Sequence, residues 1–196
     1  MTTISLRSPG EVRALSWSAI SDGNPVSGQP INGVLSGNAA YFSAREGITL
    51  TTTSWQNGTV TWNVPSVDFV NRDFELVSDV FMNTTADGIG LTVGGNLKGE
   101  CKTWVNENAT AFTIGGVAVG QQIPEYFEPA GAWRNMRLAV KKAGGVRTAM
   151  LYVDDLLFNS LNVTSWIPNG TTVSVSGKTG SNADLHYVRS AMLTYW

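Results

Sequence analysis

Apolar and polar residues alternate with a period of two along most of this chain. The segments GITLTTTSW, NGTVTWNV, FELVSDVFM, GIGLTVGG, MRLAVKK, TAMLYV, TTVSVSG and HYVRSAMLTYW all carry that pattern and are predicted as β-strands. Turn signals separate them at Asn57-Gly58, Gly94-Gly95, Gly115-Gly116, Gly144-Gly145, Asn169-Gly170 and Thr179-Gly180. No segment sustains an apolar face at helical spacing. The nearest, PEYFEPAGAWRNMR, is interrupted by Pro129 and Gly131. Residues 22–38, DGNPVSGQPINGVLSGN, are rich in Gly, Pro and Asn and are predicted as a long ordered loop. The expectation is one all-β domain over residues 1–196, built as two facing antiparallel sheets that each hide one face. In FELVSDV, Phe74, Leu76 and Val80 point inward while Glu75, Val77 and Asp79 point out. Ser78 falls among the inward set as a polar defect.

Composition narrows the picture. Only 14% of residues are charged, whereas Gly numbers 21 and Trp 7, a mix that suits strands joined by tight turns around an aromatic core. The net charge of −2 offers nothing to nucleic acid or to an acidic membrane. Arg134, Arg137, Lys141, Lys142 and Arg147 form a local basic run without an acid, read as the solvent face of a hairpin. Cys101 is the single cysteine, so no intramolecular disulfide forms. The N-terminal MTTISLRSPGEV has no continuous apolar stretch of the kind a signal peptide carries, and no segment reaches membrane-spanning length. The expected setting is therefore cytoplasmic expression, with incorporation into a virion left open. Sequons begin at Asn57, Asn83, Asn108, Asn162 and Asn169, but without a signal peptide they argue little for secretory glycosylation.

Carboxylate pairs are the first place to seek catalysis. Glycoside hydrolysis needs two carboxyls about 5–9.5 Å apart. Asp73 and Glu75 lie on one face of a strand at about that separation, whereas Glu125 and Glu128 fall in a Pro-bounded loop. Asp154-Asp155 occupies a turn. There is no G-x-S-x-G and no P-loop. His186, the only histidine, is expected to pack or bond between the final strands rather than to catalyse or bind metal.

The order of several short motifs resembles that of the legume-type (L-type) lectins and the wider concanavalin A-like superfamily. NAAYFSAREGITLT is similar to the family's opening strand pair, DFELVSDVFM to its paired-aromatic core strand, and ADGIGLTV to its Ala-Asp-Gly strand. WRNMRLAVKKAGGVRTAMLYVDDLLF resembles a hairpin shared with laminin-G-like relatives, and VSVSGKTGSNADLHYVRSAMLTYW resembles the closing strands. Together these matches span roughly residues 35–196 and imply a jelly-roll β-sandwich of two antiparallel sheets.

The resemblance also implies a site. Asp87 becomes the acceptor of hydrogen bonds from sugar hydroxyls, with Ala86 before it in a strained backbone position. Read without the resemblance, Asp87-Gly88 is equally an ordinary turn pair. Gly94, Gly95 and Asn96 are the nearest equivalents of a second loop that offers a backbone N–H. In ECKTWVN, Glu100, Thr103, Trp104 and Asn106 fit the metal-binding and sugar-binding third element. Lys102, however, stands where the family carries a metal-binding Asp, and an ammonium there repels calcium. Lys102 is therefore expected to bridge local carboxylates in the cation's place. A fourth loop, TGSNADLH, brings Ser181, Asn182 and Asp184 toward the sugar. Trp104 is the first choice for stacking on a sugar ring, with Tyr126 and Trp133 behind it.

The sequence-based expectation is thus non-catalytic glycan binding, with Asp87, Gly95, Asn96, Trp104, Asn106, Ser181 and Asn182 in the site, no catalytic residue and no metal ligand. No cofactor is expected, with calcium left open. The partners are a glycan or glycoprotein surface, without nucleic acid or membrane insertion; a homo-oligomer paired through flat sheets is a further expectation. The alternative is a viral or phage structural protein, a capsid, decoration or tail-associated subunit that borrows the fold and packs against other subunits of a particle. A glycoside hydrolase is the minority reading.

Overall fold

The computed structural model describes residues 11–16, 31–42, 47–65, 67–83, 87–104, 107–124 and 131–196. Among them, nine strands form one sheet. Its main path runs β14 (Leu156–Asn162), β13 (Val146–Val153), β12 (Ala132–Ala143), β7 (Phe74–Met82), β16 (His186–Tyr195), β1 (Glu11–Ser16) and β2 (Ile31–Asn32). Off that path, β5 (Gly47–Thr51) pairs with β16 and with β4 (Ala40–Phe42). Seven strands form the other sheet, in the order β11 (Val117–Pro124), β10 (Glu107–Ile114), β9 (Leu97–Trp104), β8 (Asp87–Val93), β15 (Thr172–Lys178), β6 (Asn57–Asn63) and β3 (Val34–Gly37). All pairings are antiparallel except β1 with β2. The result is the two-sheet sandwich expected from the alternating pattern, with the jelly-roll form that the resemblance implies.

That pattern builds the core directly. From the seven-stranded sheet, Val60, Trp62, Ile89, Leu91, Val93, Leu97, Val173 and Val175 are fully or almost fully buried. They face Phe74, Leu76, Val80, Met136, Leu138, Val140, Leu151 and Leu193 of the nine-stranded sheet. Burying each such side chain contributes about 1.5–3 kcal/mol before conformational entropy is counted.

Ser78, the apparent defect, is buried because the neighbouring strand supplies an acceptor. Arg189 is an extra residue in β16 that shifts its register against β7 between Val188 and Ser190. Ser78 Oγ donates to Ser190 O at 2.7 Å, and Ser190 Oγ accepts from Asp79 N at 3.2 Å. The bulge also turns Arg189 outward, over the ring of Trp133 at 4.5 Å.

Three sequence expectations change. Within the expected loop over 22–38, Ile31–Asn32 and Val34–Gly37 are strands, because β3 extends the seven-stranded sheet beyond β6. Asn57-Gly58 begins β6 rather than making the turn. The turn lies at residues 52–55, so GITLTTTSW stops being a strand at Thr51. The basic run does lie on the hairpin β12–β13, but acids reach it from other segments. Arg134 pairs with Asp154 at 2.9 Å, and Arg137 with Glu75 at 3.6 Å and Asp155 at 3.3 Å. Arg147 is buried rather than solvent-facing: it donates to Phe69 O at 2.5 Å and lies over the Trp166 ring at 5.1 Å. Burial lowers the pKa of its guanidinium.

Candidate functional site

The site begins where β8 and β15 end side by side. Gly88 pairs with Lys178 across the two strands and with Lys102 of β9, so Asp87 stands at the strand end beside residues 179 and 180. Asp87 has φ +57, a left-handed conformation that Asp adopts more readily than most residues. Its half-buried carboxylate lies against Gly180: a β-carbon there would come 2.6 Å from Asp87 Oδ2 and 3.1 Å from Oδ1. Glycine at 180 is therefore what leaves room for the carboxylate. Ser181 and Asn182 follow directly and are exposed. Asp87 opposes Thr103 across the β8–β9 ladder, which brings the backbone of Trp104 to the same end. Asn106 and Ala86 lie outside the described residues, as do Glu125, Tyr126 and Glu128.

Beneath this loop the two sheets meet at positions with no room for a β-carbon. Gly58 and Gly177 are partners across β6 and β15, and both face inward. A β-carbon on Gly58 would collide with Leu50 O, and one on Gly177 would lie 2.9 Å from His186 Cβ and 3.0 Å from Leu50 Cβ. The glycine pair thus admits β5 and the start of β16 to the floor of the site. There Thr51 Oγ1 donates to Asp184 O at 3.0 Å and contacts His186 Nδ1 at 2.7 Å. A hydroxyl has one proton to give, so this geometry assigns the proton between Thr51 and His186 to Nδ1. Nε2 then faces Asp184 Oδ2 at 3.3 Å, and Asp184 Oδ1 accepts from Leu185 N at 2.7 Å. All three residues are buried. Asp184 is accordingly a brace for the loop and does not reach a sugar beside Ser181 and Asn182, whereas His186 bonds between strands as expected.

A second brace comes from the β5–β6 turn. Gln56 Oε1 accepts from Thr52 N at 2.6 Å and Thr53 N at 3.1 Å. Thr179 Oγ1 donates to Thr53 O at 2.7 Å and accepts from Gln56 N at 3.0 Å. Trp55, with φ +58 and 79% exposure, donates its N–H to Gly180 O at 2.7 Å. A bulky residue in the left-handed region costs of order 1–3 kcal/mol, which the surrounding bonds must offset. Sequence reasoning passed over Trp55, Thr51 and Gly180. The signal for Trp55 was a tryptophan immediately before Gln56-Asn57-Gly58, hidden by placing the turn two residues late.

Gly95 and Asn96 do not join this cluster. They lie at the opposite end of β8, about 20 Å away at ordinary strand rise. Asn96 Oδ1 accepts from Trp166 Nε1 at 2.8 Å, its Nδ2 donates to Ile167 O at 3.0 Å, and Gly95 N bonds Thr172 O at 3.0 Å. Those bonds hold the loop before β15 in place. Trp133 likewise belongs to the nine-stranded sheet, packed on Phe81 at 5.6 Å between centroids.

On the outer face of β9, Lys98 Nζ lies 2.6 Å from Glu100 Oε2 and Lys102 Nζ 3.4 Å from Oε1. Burial pushes the Glu100 carboxyl upward, but the two ammoniums prevail and hold it below the usual carboxylate range. This donor set does not fit a divalent cation, which wants several oxygens and no adjacent ammonium. Among the described residues no group of three or more His, Cys, Asp or Glu side chains is placed to hold a metal. Asp73 and Glu75 are also engaged: Asp73 Oδ1 accepts from Lys142 N at 2.9 Å, and Glu75 pairs with Arg137.

No family model matches the chain, and no curated protein matches it in sequence. Solved structures do match it in shape. A lectin from Bauhinia forficata in complex with GalNAc superposes with a TM-score of 0.69 at 16% identity, covering 96% of this chain and 99% of that one. The Emp47p carbohydrate recognition domain gives 0.64 at 12% identity over 84% and 89%. The VIP36 exoplasmic/lumenal domain in its Ca2+/Man-bound form gives 0.63 at 16% identity over 93% and 88%. The chain has the concanavalin A-like fold of the L-type lectins.

Proposed function

We propose that the protein binds glycans without transforming them, at the loop end of the seven-stranded sheet, with Asp87 as the principal acceptor of sugar hydroxyls. The observation that carries this reading is the seat of Asp87: a left-handed residue at a strand end, its carboxylate fitted over Gly180 and flanked by exposed Ser181 and Asn182. The fold supports glycan binding in general, since the matching Bauhinia lectin was solved with GalNAc and the VIP36 domain with mannose. Trp104, the last residue of β9, remains a proposed member, and Asn106 remains one through the resemblance of ECKTWVN to the family's third element. The Lys98–Glu100–Lys102 cluster supports binding without a divalent cation, because two ammoniums already neutralise the Glu100 carboxylate that a cation would need. Hydrolysis is disfavoured for a related reason. Among the described side chains on the outer face of the seven-stranded sheet, Glu100 is the one carboxylate, and a second at hydrolytic spacing is lacking.

A glycan array probed with the purified chain, in calcium and in EDTA, tests the proposal beside Asp87→Ala. Binding that survives EDTA and is lost in the variant is expected. A folded protein that binds no glycan in either condition refutes it and turns attention to the structural-subunit alternative.

A further inference from the structure

We infer that Trp55 is a second, aromatic subsite that stacks on the sugar residue next to the one held by Asp87, so that the protein prefers oligosaccharides to monosaccharides. The inference rests on the glycan-binding reading and deepens it. An exposed hydrophobic residue is ordinary on a protein surface. Trp55 differs in three respects that have separate origins. It is a bulky side chain in the left-handed region, where small or polar residues are the usual occupants. Its ring is not recruited into the core despite its size: 79% of the residue is open to solvent, whereas Trp62 is fully buried and Trp166 is 5% exposed.

The third respect is position. The Trp55 backbone N–H is bonded to Gly180 O, and Gly180 is the residue on which the Asp87 carboxylate rests. One glycine therefore separates the aromatic residue from the hydroxyl acceptor. The backbone under the ring is fixed from both sides. Gln56 Oε1 closes the turn onto Thr52 and Thr53, and Thr179 ties the turn to the loop that carries Ser181 and Asn182. A ring on a pre-ordered backbone loses little freedom when a ligand arrives. Its chemistry suits the C–H face of a pyranose, which is apolar and large enough to cover an indole. Asp87, Ser181 and Asn182 supply the polar contacts for the adjoining residue. Among the side chains whose exposure is described, the other exposed aromatic is Trp196, 43% exposed, which follows β16 at the other end.

The experiment is calorimetric titration with methyl glycosides of mannose, GalNAc and galactose, and with disaccharides that carry each at the non-reducing end. It compares the wild-type chain with Trp55→Gly, Trp55→Phe and Asp87→Ala. Glycine suits a positive φ, so Trp55→Gly removes the ring while favouring the turn, and a change in its binding cannot be assigned to an unfolded loop. The expected result is a loss of roughly tenfold or more in disaccharide affinity for Trp55→Gly, with the monosaccharide within about twofold and partial retention in Trp55→Phe. Quenching or a blue shift of tryptophan emission by the disaccharide should also diminish in Trp55→Phe. Wild-type binding that Trp55→Gly leaves unchanged overturns the subsite while leaving the Asp87 reading intact. Absence of binding by the folded wild type to every sugar overturns both. Equal losses for mono- and disaccharides overturn the subsite as a separate contact.

Discussion

Gly180 and Asp87 compete for one volume. A β-carbon on Gly180 would come 2.6 Å from Asp87 Oδ2, closer than real β-carbons approach other atoms. Its φ is not in the left-handed region, so alanine at 180 strains contacts rather than backbone. Gly180→Ala is therefore expected to turn the carboxylate away at small cost to the fold. Glycan affinity should fall about tenfold or more while the unfolding midpoint changes by less than the equivalent of about 1 kcal/mol. Parallel titration and thermal denaturation check both parts; unchanged affinity would separate Asp87 from the binding function.

The floor of the site makes a different prediction. Thr51 is buried and bonded to both Asp184 O and His186 Nδ1, so losing its hydroxyl leaves both without that partner. Thr51→Val should destabilise by about 1–3 kcal/mol, and His186→Ala by more, because it removes both the Nδ1 bond to Thr51 and a fully buried ring. Urea unfolding measures this. A loss below about 0.5 kcal/mol in both variants would mean that the brace contributes little.

Glu100 supplies the pH dependence. Its folded pKa is depressed, so the stabilisation from Lys98 and Lys102 is fully present above its unfolded value of about 4.3 and is lost as pH falls through the folded value. Replacing both lysines with methionine should remove the downward pull and leave burial to act alone, raising the Glu100 pKa. NMR titration of the Glu100 carboxyl reads this shift, and a value unchanged in the double variant would contradict it.

Cys101 is 1% exposed in the core, and burial, reinforced by the neighbouring Glu100 charge, pushes its thiol up to about 12. The thiolate is the reactive form. At pH 8 the native protein should therefore be inert to an aromatic disulfide reagent and become reactive on unfolding in denaturant. Prompt labelling of the native protein would show that β9 opens readily.

The sandwich was legible because the strands of its core are half-buried, and half-burial writes a period of two into the sequence. Phe74–Met82 and Thr172–Lys178 show it most clearly. Edge strands such as Val117–Pro124, largely exposed, carry no such contrast. β5 fails for the opposite reason: it is buried along its whole length, so nothing in the local pattern marks where Thr51 ends the strand and the turn bearing Trp55 begins. Asp87 was legible as an Asp-Gly pair in a recognisable order of motifs. Gly95 and Asn96 resembled a site loop, but their distance from Asp87 depends on the length of β8, and a turn signal does not encode it. Asp184 and Asn182 stand two positions apart in the same polar stretch, and only the approach of His186 past Gly177 decides which of them faces inward.

The position of β16 has a consequence for how the molecule is made. This strand is flanked by β7 on one side and by both β1 and β5 on the other, so the earliest strand of the sheet waits for the last. During synthesis, β7 can pair with β12 while its other edge stays unpaired until His186–Tyr195 has emerged. Long-range pairing of this kind is slow and leaves a sticky edge open in the meantime. A nascent chain stalled before β16 should accordingly bind holding chaperones and be degraded quickly by proteases, and release of the closing strand should end both together.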